Sequence, residues 1–162
     1  AVPSQESKWL LWNWWYGCDL SDLGPASTRP MDFSRTVLLI GAVLALSGVA
    51  LGAFGAHALA ALLSENNRVS TFELANRYQF YHALALLLLG VVAMLQSRAW
   101  VTIPVVFCLV AGVILFSGSL YALALTNIRW LGAVTPIGGV LLIAGWAILS
   151  INLWRKGVAN PD

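Results

Sequence analysis

The stretch TVLLIGAVLALSGVALGAFGAHALAALLS, from Thr36 to Ser64, carries no formal charge. It is longer than the roughly 20 apolar residues a helix needs to cross the hydrocarbon of a bilayer. Three more such runs follow, from Tyr78 to Ser97, from Ala99 to Ile128 and from Trp130 to Trp154. Each crosses without burying a charge, so the pattern predicts an all-α integral membrane protein, an up-down bundle of four transmembrane helices. The predicted spans are about 36–63, 74–97, 100–125 and 130–154 within a single domain, 31–162.

Composition agrees. Of 162 residues, 59% are hydrophobic and 10% charged, against about 25% charged in a typical soluble domain. A formal charge of +2 with no basic run gives no support for nucleic acid as a partner. The partner that the composition demands is the lipid bilayer.

Trp100, Trp130 and Trp154 stand at span ends, where an indole keeps its ring in the interface and its N–H near water. Between the first two spans lies SENNRVSTFELANR, residues 64–77, in which Ser70 to Glu73 fit a capping box. The second helix is therefore expected to begin there. Lys and Arg in short loops set orientation. With the amino end inside, Lys8, Arg29, Arg35, Arg98, Arg155 and Lys156 lie inside and Arg68, Arg77 and Arg129 outside. The expectation is that both termini are cytoplasmic. Arg35, the apolar run and the small residues Ala58 and Ala60 imitate a signal peptide, but the run exceeds the roughly 7–15 residues of such a region, so it is expected to stay as a span.

Residues 1–30 differ in kind. Trp9, Trp12, Trp14 and Trp15 are interspersed with Pro3, Pro25 and Pro30, too short and interrupted for a fifth span. Trp9, Trp12 and Tyr16 can share one face of an interfacial helix. Two other readings are a disordered tail and an extension ahead of a start at Met31. Cys18 in this tail and Cys108 in an apolar run are not expected to pair, and Cys108 reads as a small packing residue.

Gly41, Ala45, Gly48, Gly52 and Ala56 recur every three or four residues, a stripe that lets another helix approach closely. Gly48 and Gly52 form a GxxxG pair that is expected to serve packing within the chain. Gly55, Gly118, Gly138 and Gly139 are further packing candidates. Pro136 lies inside the predicted fourth span and predicts a kink or local opening there.

Four motifs, GAFGAHAL (52–59), YQFYHALA (78–85), LFSGSLYALAL (115–125) and TPIGGVLLIAGW (135–146), occur in an order that resembles the family known as domain of unknown function 423, related to transmembrane protein 256 of animals. The likeness runs from about Met31 to the end and includes RKGV after the last span. It implies a four-helix bundle in a bacterial inner membrane, or a mitochondrial one in eukaryotic relatives. It implies no reaction and carries over no catalytic residue or cofactor.

An up-down bundle brings these motifs to one end, which suggests a polar layer of His57, His82, Tyr78, Tyr81, Ser117, Ser119, Tyr121 and Thr135. Ionisable side chains at membrane depth are functional candidates by default. One reading is a His57–His82 pair that holds a metal or haem or passes a proton. The other is two neutral imidazoles bonded to Tyr, Ser or backbone carbonyls, which hold helices in register. The second is favoured, because two ligands without Cys, Asp or Glu beside them make an incomplete metal site. Ser117 and Ser119 lack the base and orienting acid that a nucleophile needs. The function expected is a non-enzymatic structural or accessory membrane protein, self-associating or part of a larger complex. An oligomeric carrier or pore and a histidine-ligated redox protein are the alternatives.

Overall fold

The computed structural model describes residues 32–95 and 100–159, with side chains as far as Arg155. The tryptophan-rich segment 1–30, Arg98 and the side chain of Lys156 lie outside the described residues. Long helices run over Phe33–Ala56 (α1), Val69–Leu95 (α3), Ile103–Thr126 (α4) and Thr135–Ala159 (α5). A short helix, Ala60–Glu65 (α2), follows α1, and a 3-10 turn, Arg129–Ala133, precedes α5. The described residues contain no strand.

Four helices are long and apolar enough to cross a bilayer. Their outward residues are large hydrophobics: Leu46 is 72% exposed, Leu88 65%, Ile103 72% and Ile143 70%. So continuous an apolar surface needs an apolar medium around it.

Packing follows chain order. α1 lies on α3, α3 on α4 and α4 on α5. α3 and α4 are the central pair, with 39% and 44% of their apolar windows buried against 17% for α1 and 22% for α5. All three pairings are antiparallel. Gly41 faces Leu87 and Gly52 faces Asn76; Arg68 meets Asn127 and Asn76 meets Tyr121; Gly112 faces Leu142 and Gly145 faces Leu109. Leu86, Val105 and Leu109 form the fully buried centre. A second cluster of Leu63, Phe72 and Ala124 closes the end that holds α2.

Several boundaries differ from those read in the sequence. The first span does not run to residue 63: α1 stops at Ala56, and the Leu59 amide reaches back to the Phe54 carbonyl at 2.8 Å. The chain then re-forms as α2, which buries Leu63 against Phe72 and Ala124. α3 begins at Val69, so Ser70 is its second residue rather than its cap. Its entry is set instead by Asn67, at φ 55°, where the Arg68 amide bonds Leu63 O and the Asn67 amide bonds Ser64 O. That double bond is a Schellman motif, and asparagine tolerates the left-handed conformation it needs.

Pro136 does not kink the fourth span. It is the second residue of α5, where the N–H it lacks has no intrahelical partner anyway and its fixed φ suits the helix. The apolar span itself runs over Arg129–Arg155, as read, with residues 129–133 in the 3-10 turn and the α-helix from 135.

Candidate functional site

The polar side chains of the spans lie along the helix seams. Gln79, only 4% exposed, donates to Leu44 O at 2.9 Å and Ser47 Oγ at 2.9 Å. One turn away, Asn76 donates to Gly48 O at 2.6 Å and to the Tyr121 hydroxyl at 3.2 Å. It thereby ties α1, α3 and α4 together. A primary amide left unpaired in an apolar interior is costly, so its bonds fix the register of its neighbours. Neither amide was among the sequence candidates, which were chosen for ionisable or hydroxyl groups. The signal was present, however: Phe72, Asn76, Gln79, Ala83 and Leu86 recur every three or four residues, the spacing of a buried helical stripe.

His82 stands midway along α3 and is 7% exposed. Its Nδ1 is 2.8 Å from Tyr78 O and its Nε2 is 3.2 Å from the Trp146 indole nitrogen. A carbonyl only accepts and an indole N–H only donates. The partners therefore assign the proton to Nδ1 and leave Nε2 as acceptor. Both ring nitrogens are thus engaged in hydrogen bonds. Trp146 thus links α5 to α3, a role its sequence position did not reveal because Trp146 had been read only as part of a motif.

The suggested polar layer separates into parts. In the register of α1 on α3, residue 57 is level with residue 71, so His82 is eleven residues further along, about 16 Å at 1.5 Å per residue. His57 is exposed and caps α1, its amide on Ala53 O at 3.2 Å. The histidines do not form a pair. No group of three or more His, Cys, Asp or Glu able to hold a metal occurs among the described residues.

Other candidates do come together. Ser119 Oγ is 2.9 Å from Thr135 Oγ1 and donates to Phe116 O at 3.0 Å, so it joins α4 to the start of α5. Tyr121 packs edge-on against Phe72 with ring centroids 4.9 Å apart. Tyr78 lies on Phe116 at 4.5 Å. Ser117 is buried, and its hydroxyl has no hydrogen-bond partner among the described residues. Tyr81 points outward and is 59% exposed.

Most of the expected packing glycines do pack. A Cβ on Gly48 would meet Phe80 and one on Gly52 would meet Asn76, both at 3.3 Å; on Gly55 it would strike the Phe72 ring. The GxxxG pair thus serves α3 of the same chain. Gly138 seats α5 on the Phe116 backbone, and a Cβ on Gly139 would lie 3.7 Å from the Phe116 ring. Gly118 is the exception, exposed with nothing within 4 Å of the Cβ position. Cys108 is half-buried and free, beside Gly145.

At the end where α2 lies, Asn66 donates to Ala124 O at 3.0 Å and Leu125 O at 3.3 Å. Arg68 Nε donates to Asn127 Oδ1 at 3.2 Å. At the other end Asn152 donates to Trp100 O at 3.0 Å. The Asn66 bonds satisfy carbonyls at the end of α4, the Arg68 bond joins two loops, and the Asn152 bond ties α5 to the loop before α4. Within the spans no hydroxyl or imidazole stands beside the base and acid that nucleophilic catalysis requires. The arrangement is chemically one of cross-links.

A family profile described as "Protein of unknown function (DUF423)" matches residues 51–139. A UPF0382 membrane protein of Staphylococcus haemolyticus is 45% identical over 126 residues, 75% of this chain and 97% of its own. One of Staphylococcus saprophyticus is 45% identical over 123 residues, covering 75% and 98%. The UPF0382 inner membrane protein YgdD of Escherichia coli K12 is 42% identical over 130 residues, covering 78% and 98%. No solved structure matches the chain.

Proposed function

The chain belongs to the DUF423 family of membrane proteins of unknown function, and on that premise we propose that it is a non-enzymatic structural or accessory membrane component, associating with its own copies or with a larger complex. One observation carries the reading: the polar groups that could serve chemistry, Asn76, Gln79, His82, Ser119 and Trp146, are engaged in bonds between helices. Such bonds hold a fixed shape. α1, packed on α3 and exposing Leu39, Val43, Leu46 and Val49, supplies a broad face for lipid or a neighbour.

The membrane is proposed to be the bacterial inner membrane, as the name of the Escherichia coli relative has it for that protein. Both termini are placed in the cytoplasm on the distribution of Lys and Arg. Purification in mild detergent tests the function: copurifying protein or a discrete oligomer is expected, and a strictly monomeric particle with nothing bound would count decisively against it. Reporter fusions at the two termini test the orientation, with cytoplasmic signal expected at both.

A further inference from the structure

Glu73 and Arg77 are the formal charges deepest in the α3 span. Both are exposed, and among the described residues neither has a hydrogen-bond or ion-pair partner. Asn76 bonds Tyr121 and Arg68 bonds Asn127, so 73 and 77 are level with the last two turns of α4. They therefore stand inside the end of the bundle, facing away from its core. Charges at the end of a span lie at the depth of lipid headgroups, where they can pair with headgroup charges.

Two open grooves flank this ridge. One, of about 670 Å³, has Gly52, Gly55 and Ala56 along one side and Phe72 and Phe80 along the other. The second, of about 400 Å³, runs from Ser70 and Thr71 over Leu74, Leu120 and Leu123. Glu73 and Arg77 border both. Residues four apart on a helix have Cβ atoms about 5–6 Å from one another, so the ridge presents one carboxylate and one guanidinium side by side between the two grooves.

We propose that this ridge binds an amine-headed phospholipid, phosphatidylethanolamine in type, its phosphate on Arg77 and its ammonium on Glu73, with its acyl chains running from there toward the bilayer interior. The chemistry selects the headgroup. Guanidinium matches a phosphate in a two-pronged geometry, and a primary ammonium donates hydrogen bonds to a carboxylate. Phosphatidylglycerol, whose phosphate also meets Arg77, brings no cation for Glu73. Phosphatidylcholine brings a quaternary ammonium with no N–H to donate.

The full-length chain, purified in mild detergent and exchanged into equimolar phosphatidylethanolamine, phosphatidylglycerol and phosphatidylcholine, provides the test, with retained lipid counted by native mass spectrometry after stepwise delipidation. The amine-headed lipid is expected to outlast the other two by roughly tenfold, the worth of one hydrogen bond to a charged group. Arg77→Gln removes its retention, Arg77→Lys restores part of it, and Glu73→Gln equalises it with phosphatidylcholine. Arg68→Gln, outside both grooves, keeps the preference. Equal retention of the three lipids by the unmodified chain overturns the proposal. So does a preference that survives both Arg77→Gln and Glu73→Gln in protein of unchanged helicity. A lipid-free dimer that these two substitutions dissociate assigns the ridge to a second copy instead, and overturns it as well.

Discussion

Replacing Gly138 by alanine probes how closely α5 must approach α4. A Cβ at this position lands on the Phe116 backbone nitrogen and lies 2.7 Å from its Cα. Neither atom can rotate away, so α5 has to move outward. Moving it stretches the Ser119–Thr135 bond, now 2.9 Å, and lifts Leu142 from its seat at Gly112. Overpacking of this kind costs about 1–3 kcal/mol. Alanine also relieves the intrinsic helix penalty of glycine, up to about 1 kcal/mol, so the net loss is about 0–2 kcal/mol. Gly118→Ala provides the reference, because nothing lies within 4 Å of its Cβ position and it collects the propensity gain alone. The gap between the two variants is then about 1–3 kcal/mol, the steric cost by itself. Because Gly138 is only the fourth residue of α5, its propensity gain is the smaller one, which widens the gap. Unfolding in mixed micelles, followed by circular dichroism, measures the difference. Equal stability of Gly138→Ala and Gly118→Ala would refute the close α4–α5 contact.

Gln79→Leu removes the bonds to Leu44 O and Ser47 while keeping the bulk; it should destabilise the α1–α3 pair by about 0.6–1.7 kcal/mol, the range of interhelical bonds in membranes, in the same unfolding assay. Trp146→Phe takes from His82 Nε2 its only donor among the described residues and should cost about 1–3 kcal/mol for the acceptor left buried; a double-mutant cycle with His82→Leu should show coupling, while His57→Ala, at an exposed site, should change stability by less than about 0.5 kcal/mol. Asn66→Ala frees the Ala124 and Leu125 carbonyls and should expose the α4 end, read as faster amide exchange at residues 127–129.

The helical class, the number of spans and the pairing of the glycine stripe were legible in the sequence, since uncharged length and small-residue spacing act locally along one chain. Gly41, Gly48 and Gly52 could be read as a packing stripe because their meaning depends only on helical period. Span ends were less legible: Pro136 starts a helix instead of kinking one, and α1 stops at Ala56, because caps and turns depend on where the neighbouring helix needs the chain to go. Gln79 and Asn76 escaped notice because a neutral amide has no charge to mark it. Its importance arises only when another helix places a carbonyl opposite. The same holds for His82. Sequence could say that an imidazole lay within a span, but only the packing of α5 over α3 decided that Trp146 meets it while His57 lies about three turns away. What the sequence by itself determined was which segments prefer hydrocarbon, a sum of side-chain transfer energies. What tertiary structure alone decided was which polar atoms face one another, since hydrogen bonds depend on angstrom-scale register between segments far apart in the chain.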